Sequence, residues 1–250
     1  MQFGAVRLAE PVDGVCAERA EEGRGAAFLL DRRNGRLGLD ALTDADLGRL
    51  EIDFAVGSIG WRGTARARQE RIVRACRALR PGESEPLHIV DGTGGLGGDS
   101  WILAAVGARV TVVEQHPVIR ALLIDGLLRA RAHAPEVVDR IEILCGDARA
   151  RVADLAPDVL YLDPMYPPRR KQALGDRRLR LLAALLAADD LVGDDAVGLV
   201  TAGLAAAVPR VVLKCPSRQR FDGLPKPNHS LAGRSTRFDV WLRPPRRPQA

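Results

Sequence analysis

From Leu87 onward, short apolar runs alternate with helical patterns, and this alternation is the feature that most constrains the fold. Strands that alternate with helices pack as a parallel sheet covered by those helices, so an α/β fold with a mostly parallel sheet is predicted. Strands are predicted at residues 87–90, 109–113, 141–144, 159–162, 211–213 and 236–242. Helices are predicted after the glycine-rich turn that follows the first of these strands and at residues 117–130, 179–188 and 195–207.

The chain divides near Pro81-Gly82 into parts of different character. Residues 1–80 are interpreted as a small α+β extension, and Asn34-Gly35 between two apolar segments predicts a tight hairpin within it. A helix is predicted over residues 64–79, with an arginine face interpreted as a solvated surface. Residues 81–243 form the predicted Rossmann-like domain, and residues 244–250 form a basic, flexible tail.

Composition narrows the classes of protein that this chain can be. At 250 residues and 46% hydrophobic content, it can bury one substantial core, and the net charge of +5 favours a polyanionic partner. Its four cysteines and four histidines are scattered without paired ligand spacing, so no zinc site, disulfide framework or metal catalysis is indicated. We found no signal-peptide pattern, and the longest apolar run is too short to span a bilayer. A cytoplasmic protein is therefore expected.

A glycine-rich segment, Asp91-Gly92-Thr93-Gly94-Gly95-Leu96-Gly97-Gly98-Asp99, joins the first predicted strand to a helix. Glycines permit a tight turn and close approach of a ligand, and the helix that follows begins with unpaired N–H groups. The spacing of Gly92, Gly94 and Gly97 also matches the dinucleotide-binding fingerprint. The segment therefore predicts a site for a nucleotide-like cofactor, with a purely structural turn as the alternative.

Glu114 ends the next predicted strand and can accept hydrogen bonds from two ribose hydroxyls. Nicotinamide dinucleotides and S-adenosyl-L-methionine both carry such a ribose. An NAD(P)-dependent oxidoreductase therefore stays an alternative at this point.

Asp163-Pro164-Met165-Tyr166-Pro167-Pro168 follows the strand at residues 159–162 and favours methylation of an exocyclic amine. The lone pair of such an amine is delocalised into the base. Acceptors at the Asp163 carboxylate and the Pro164 carbonyl would turn that lone pair toward an electrophilic methyl and stabilise the charge that develops on nitrogen. Tyr166 would stack on the base. Asp163, Pro164 and Tyr166 are the predicted catalytic residues.

Four segments together resemble the bacterial small-subunit rRNA guanine-N2 methyltransferase family of the RsmJ type. They are residues 91–99, residues 161–167 with Lys171-Gln172-Ala173-Leu174, residues 211–214 followed by Pro216, and Arg237-Phe238-Asp239. The resemblance implies a Rossmann-like class I methyltransferase fold with S-adenosyl-L-methionine as the donor. It further implies a guanine N2 amine of 16S rRNA as the acceptor, with the rRNA or the small ribosomal subunit as the partner.

The resemblance also implies donor-binding residues. To Asp91, Gly92, Gly94 and Gly97 of the glycine-rich segment it adds Gly98, Asp99, Glu114, Gln115, Asp147, Ala148 and Asp163. The family commonly has arginine where this chain has Gly98 and Gln115, and serines at Asp147-Ala148. Asp147 would instead accept from the adenine amino group.

Basic residues follow the Asp-Pro motif and are interpreted as contacts to RNA phosphates, which position the RNA without reading its sequence. They are Arg169, Arg170, Lys171, Arg177, Arg178 and Arg180, together with Lys214 at the end of the strand at residues 211–213. A non-catalytic, RNA-binding ribosome-assembly factor would explain the charge equally well, but it would leave the donor-binding and amine-binding motifs without a role.

Overall fold

The computed structural model describes residues 6–9, 12, 27–55, 67–79, 82–166, 177–189 and 195–243. The strands in these parts of the chain are β1 (Val6–Leu8), β2 (Phe28–Arg33), β3 (Arg36–Ala41), β4 (Arg49–Leu50), β5 (His88–Asp91), β6 (Arg109–Glu114), β7 (Ile141–Cys145), β8 (Val159–Leu162), β9 (Arg210–Pro216), β10 (His229–Ala232) and β11 (Thr236–Leu242). The helices are α1 (Arg71–Cys76), α2 (Gly98–Ala105), α3 (Pro117–Ala130), α4 (Pro135–Val138), α5 (Ala148–Leu155), α6 (Arg177–Ala188) and α7 (Ala196–Ala205).

A seven-stranded sheet forms the centre of the molecule, in the order β10-β11-β9-β8-β5-β6-β7. The five strands from β9 to β7 are parallel, and β11 and then β10 extend the sheet beyond β9 by antiparallel pairing. The predicted α/β fold with a mostly parallel sheet is therefore confirmed. Strand β10 carried no strong apolar pattern and was not predicted, since its four residues are exposed or half-buried.

The strand order reverses beside β5, because its neighbours β6 and β8 continue the chain in opposite directions across the sheet. Such a reversal leaves a crevice beyond the carboxyl ends of the strands, where open α/β sheets bind ligands. Asp91 and Glu114 are the last residues of β5 and β6, and Asp163 directly follows β8. The topology thus brings the three predicted acids to one edge.

Both faces of the central strands are buried. In β5, Ile89 and Val90 pack into different hydrophobic clusters, and Tyr161 and Leu160 of β8 divide in the same way. Successive side chains of a strand point to opposite faces, so a continuous apolar run is needed where helices cover both sides. This requirement explains the consecutive apolar residues Ile89 and Val90 in β5 and Val159–Leu162 in β8.

A second sheet, in the order β1-β2-β3-β4, precedes the central one. The predicted hairpin is confirmed: β2 and β3 pair antiparallel, and Asn34 and Gly35 both have positive φ, at 51° and 75°. The small sheet shares a hydrophobic cluster with the central sheet. The proposed boundary near residue 80 stays a prediction.

The helix predicted over residues 64–79 is shorter in the structure. Within the described part of that range, a 3-10 turn covers Ala67–Gln69 and α1 covers Arg71–Cys76. Arg77 ends α1 in the left-handed conformation, with φ 53°. The exposed arginines of this stretch fit the predicted solvated face. Residues 64–66 and the predicted tail at 244–250 lie outside the described residues.

Among the helices that the structure describes, none combines the length and the apolar character that crossing a membrane requires.

Candidate active site

Asp91 ties the glycine-rich turn to the strand before it and the helix after it. Its buried carboxylate accepts from the Thr93 backbone N–H at 3.1 Å and from the Ser100 hydroxyl. Burial raises the pKa of Asp91 to about 6, although the bonds from Ser100 and Thr93 oppose this rise. The predicted donor-binding acid therefore lines the cavity and also holds the turn in shape.

The glycines let the turn lie directly against neighbouring strands. A Cβ on Gly94 would stand 2.7 Å from Val112 Cγ1, and one on Gly92 would stand 2.9 Å from the Ala148 and Leu162 side chains. Gly97 caps α2 with a φ of 72° that side chains rarely adopt, and Gly98 is the first residue of the helix. The segment therefore requires glycine for packing as well as for access to a ligand.

Glu114 organises the loop from the next strand. Its Oε2 accepts from the Gly95 N–H at 3.0 Å, and its Oε1 accepts from the His116 N–H at 2.8 Å. A carboxylate oxygen can accept more than one hydrogen bond, so a carboxylate at this strand end is suited to ribose hydroxyls. Gln115 lines the cavity beside it, as predicted for a donor-binding position.

Asp163 is held at both its backbone and its side chain. Its N–H donates to Thr93 Oγ1 at 2.7 Å, and its Oδ2 accepts from Lys214 Nζ at 2.7 Å. Burial raises the pKa of Asp163 to about 6, and the Lys214 ammonium opposes this rise. Pro164, the next residue, is buried and has no N–H to compete for acceptors.

The structure places Lys214 differently from the sequence-based interpretation. Its ammonium donates to Asp99 Oδ2 at 2.8 Å and to Asp163 Oδ2 at 2.7 Å, and only 25% of its side chain is exposed. Burial lowers the pKa of Lys214, but the two carboxylates outweigh burial and raise it above its usual value. Lys214 thus lines the cavity, where two carboxylates accept from its ammonium, and its contact with an RNA phosphate stays a prediction.

Tyr161 is a buried residue of the site that the sequence analysis missed. Its side chain lies within β8, and its hydroxyl donates to Asp99 Oδ2. A hydroxyl inside an otherwise apolar strand needs a buried partner, and this was the signal available in the sequence. Asp99, predicted to bind the donor, therefore joins β8 to β9 through Tyr161 and Lys214.

Tyr166 lies outside the cavity lining that the described residues form, and it packs against the hydrophobic cluster that includes Leu213 and Cys215 of β9. Its hydroxyl donates to the Lys214 carbonyl at 3.0 Å. Its ring lies 6.3 Å from the ring of Phe221, at an interplanar angle of 51°. Phe221 belongs to the loop between β9 and β10, so no local sequence pattern links it to Tyr166.

Asp147 caps helix α5 and binds its neighbour. It accepts from the Arg149 N–H at 2.8 Å and pairs with the Arg149 guanidinium at 2.6 Å, which lowers the pKa of Asp147. Ala148 is buried and packs against Gly92. Both residues line the cavity. An adenine amino group would have to share the Asp147 carboxylate with Arg149.

Only part of the predicted RNA-binding cluster can be located. Arg169, Arg170 and Lys171 lie outside the described residues. Arg177, Arg178 and Arg180 begin α6, where Arg177 is exposed and the other two are half-buried. Leu179, between them, lines the cavity, so this helix end lies beside the site.

The cavity has a volume of about 440 Å³, within the usual range for small-molecule sites. Ile119, Leu182 and Leu186 give it an apolar wall that suits an adenine ring. Its charged lining consists of six carboxylates and two basic residues: Asp91, Asp99, Glu114, Asp147, Asp163, Asp195, Arg149 and Lys214. Such a lining suits the sulfonium and ammonium of S-adenosylmethionine and opposes the pyrophosphate of a dinucleotide.

The comparisons with known proteins agree with this chemistry. A family model described as a putative SAM-dependent methyltransferase, where SAM is S-adenosylmethionine, matches residues 18–243. A protein named ribosomal RNA small subunit methyltransferase J from Rhodopseudomonas palustris (strain TIE-1) is 41% identical over 77% of this chain and 94% of its own length. A protein of the same name from Thioalkalivibrio sulfidiphilus is 37% identical over 97% of this chain and 96% of its own length.

A solved structure shows the same architecture. The crystal structure of a SAM-dependent methyltransferase from Neisseria gonorrhoeae is 27% identical, covers 95% of both chains and superposes with a TM-score of 0.66. These similarities, with the acidic cavity, decide against the oxidoreductase alternative. The chain is an enzyme that uses S-adenosylmethionine, and it belongs to the family of SAM-dependent methyltransferases that includes the ribosomal RNA small subunit methyltransferase J proteins.

Proposed function

We propose that this chain methylates the exocyclic N2 amine of a guanosine in 16S rRNA of the small ribosomal subunit, and that it acts in the cytoplasm. The names of the relatives point to small-subunit ribosomal RNA as the substrate. The observation that carries the proposal is the position of Asp163-Pro164 directly after β8, where the Asp163 carboxylate lines the donor cavity.

The oxygens of Asp163 suit the recognition of an amine. Oδ2 is bonded to Lys214, whereas Oδ1 has no hydrogen-bond partner among the residues that the structure describes. About a third of the side chain is exposed, at 36%. An N2 amine can therefore donate one hydrogen to Oδ1 and the other to the Pro164 carbonyl.

These two bonds would orient the amine for transfer. S-adenosylmethionine supplies a methyl group made electrophilic by the adjacent sulfonium. Asp163 and Pro164 would hold the nitrogen lone pair in line with that methyl and stabilise the positive charge that develops on nitrogen. Because this charge grows during the reaction, a fixed carboxylate favours the transition state over the bound substrate.

Tyr166 would supply the flat surface for the guanine ring. Its hydroxyl bond to the Lys214 carbonyl fixes the ring, and Phe221 supports it from the side. Stacking of a base on an aromatic side chain is worth about 1–3 kcal/mol and tolerates any base. Guanine selectivity would then come from the hydrogen bonds to N2.

The test is methylation with labelled donor. Unmodified small subunits, naked 16S rRNA and tRNA are incubated with the enzyme, and the modified nucleotide is mapped by mass spectrometry. We expect one N2-methylguanosine in 16S rRNA. Modification of tRNA alone, or of a ring nitrogen or ribose, would overturn the proposal.

The same assay addresses the non-catalytic alternative. An RNA-binding assembly factor would bind small subunits or 16S rRNA without transferring label, even with the donor saturating. Transfer by the native protein that is lost in Asp163→Ala, with donor binding retained, would exclude that alternative.

A further inference from the structure

Lys214 connects three elements beneath the proposed base site. Its ammonium lies 2.7 Å from Asp163 Oδ2 and 2.8 Å from Asp99 Oδ2, which joins the end of β9 to the segment after β8 and to the first turn of α2. We propose that Lys214 is a positioning residue for the transfer, which keeps the Asp163 carboxylate ionised and directs its Oδ1 to the base amine. This inference rests on the proposed function.

The contacts divide the two oxygens of Asp163 between two tasks. The Thr93 hydroxyl fixes the backbone of Asp163, and Lys214 binds Oδ2, so the carboxylate is held at both ends. Rotation of the carboxylate would break the bond between Lys214 and Oδ2. In this arrangement, Oδ1 is the oxygen that remains for the amine.

The charges around Asp163 explain why a cation is needed there. Asp91 at the end of β5 and Asp99 on α2 are negative, and Tyr161, Tyr166 and Cys215 contribute no positive charge. Among the residues that the structure describes, Lys214 is the cation that acts most strongly on Asp163. Burial and the two acids favour the protonated form of Asp163, and Lys214 favours the ionised form. Loss of Lys214 would therefore shift Asp163 toward its protonated form, which lacks the charge that the reaction uses.

Asp99 sets the net charge of the group that surrounds the proposed amine site. It shares the ammonium and accepts from the Tyr161 hydroxyl, so the group of Asp99, Asp163 and Lys214 carries one net negative charge. A pair of Lys214 and Asp163 alone would be neutral and would stabilise a developing cation less. The second acid therefore keeps the site negative while the lysine keeps Asp163 ionised.

The proposed step balances with these groups. The N2 lone pair forms a bond to the methyl carbon, and the electrons of the carbon–sulfur bond go to sulfur. The proton that N2 loses passes to Asp163 Oδ1 and then to water, while Lys214 stays protonated throughout. A group that must be ionised at the start makes the rate fall as pH decreases through its pKa.

The pH dependence of single-turnover methylation tests this role. In Lys214→Met, we expect the acidic limb of the profile to move to higher pH by about 1 unit or more, the usual effect of removing an adjacent opposite charge. Lys214→Arg should move the limb less, because it keeps the charge. Lys226→Met, at an exposed lysine, is the matched control and should keep the limb of the native protein.

Asp99→Asn provides a test of opposite sign. Loss of this neighbouring negative charge should favour ionised Asp163 and move the acidic limb to lower pH. Its amide oxygen can still accept one hydrogen bond, so the network loses charge while an acceptor remains. Donor binding is measured by calorimetry with S-adenosylhomocysteine, and both substrates are kept saturating.

The outcomes separate the two proposals. Native protein that methylates no guanine N2 contradicts the proposed function. If it does methylate, a limb that moves up in Lys214→Met supports the positioning role. If that variant fails to bind S-adenosylhomocysteine, the downward shift in Asp99→Asn carries the same support. The positioning role would be overturned if the variants that bind S-adenosylhomocysteine methylate more slowly by the same factor at every pH. The acidic limb of their pH profile would then lie where it lies in the native protein.

Discussion

At the scale of single residues, the site depends on side chains that each serve the fold and the chemistry together. Glu114 orders the glycine-rich loop through two backbone N–H groups, and its carboxylate is suited to ribose hydroxyls. Tyr166 is held by its hydroxyl beside Lys214, which lines the cavity. Such side chains are already in place before a substrate binds, which lowers the cost of organising the transition state.

Substitutions of Asp163 test the charge and the acceptor separately. Asp163→Ala should lower the single-turnover rate about 10²–10³-fold, the usual loss for one preorganised partner. Asp163→Asn should retain more activity than Ala and less than the native protein, because its oxygen accepts but carries no charge. Rapid-quench measurements with saturating donor and RNA distinguish the two. A native rate in Asp163→Ala would contradict the mechanism.

The contribution of Tyr166 to RNA binding should come from its ring more than from its hydroxyl. Tyr166→Phe loses the bond to the Lys214 carbonyl and should lower RNA affinity by about 1 kcal/mol or less, the usual value of one neutral hydrogen bond. Tyr166→Ala should cost about 1–3 kcal/mol, because stacking is lost. RNA binding by fluorescence anisotropy measures both. Equal losses in the two variants would argue against stacking.

At the scale of elements, α6 and α3 link the site to its surroundings. Helix α6 lines the cavity with Leu182 and presents arginines at its first turn, so one helix faces both the donor and the proposed RNA. Helix α3 joins the small sheet to the central one, because the Asp125 carboxylate accepts from the Leu37 N–H at 3.3 Å and from Arg32 at 2.5 Å.

The arginines of α6 should account for part of the salt dependence of RNA binding. Each phosphate contact on a single strand contributes about −0.7 to the slope of log affinity against log salt. Arg177→Ala combined with Arg180→Ala should therefore flatten the slope by about 1.4 and leave donor affinity unchanged. Arg109→Ala is the control, since this exposed arginine begins β6 and the cavity lies at the other end of that strand. An unchanged slope in the double variant would contradict the phosphate contacts.

Asp125 should stabilise the docking of the small sheet. Asp125→Ala removes bonds to Leu37, Arg32 and Arg129 from a carboxylate that is only 8% exposed. We expect a loss of about 2–3 kcal/mol in the free energy of unfolding, measured by urea denaturation. Asp139→Ala breaks an exposed ion pair with Arg131 and should cost less than about 1 kcal/mol. Equal losses would contradict this role of Asp125.

At the scale of the whole molecule, charge is distributed in two opposite ways. The chain carries a net charge of +5, whereas the cavity is lined by six carboxylates and two basic residues. A net positive charge favours the proposed RNA substrate, and the acidic cavity favours the cationic donor. The donor and the proposed RNA substrate would thereby be attracted to different parts of one protein.

Thermal unfolding should reflect this selectivity for the donor. S-adenosylhomocysteine at about 100 times its Kd should stabilise the protein by about 2.7 kcal/mol and raise the Tm by about 5–10 °C, whereas NAD should not. Glu114→Ala should weaken binding by about 1.5–3 kcal/mol and lose most of the shift. Glu142→Ala, at an exposed acid of β7, should keep it. Stabilisation by NAD would contradict the charge argument.

Local patterns in the sequence determined the central sheet and the chemical motifs. Consecutive apolar residues mark the centre of β5 and all of β8, because strands covered on both faces bury side chains on both sides. The turn conformation at Asn34-Gly35 and the Asp163-Pro164 motif also follow from neighbouring residues alone. In contrast, β10 has no apolar pattern, and α1 is shorter than its periodicity indicated, with Arg77 ending it in a left-handed conformation.

Tertiary structure alone decided which groups of the site meet. Lys214 bonds to Asp99 and Asp163, which are 115 and 51 residues away along the chain, and Thr93 bonds to Asp163 across 70 residues. These contacts arise because β5, β8 and β9 lie side by side and end at one edge. A local pattern specifies the face and length of a strand, but its neighbours and their register depend on packing across the whole sheet. The sequence therefore identified Lys214 as a strand-end cation, and only the folded chain placed it between two carboxylates.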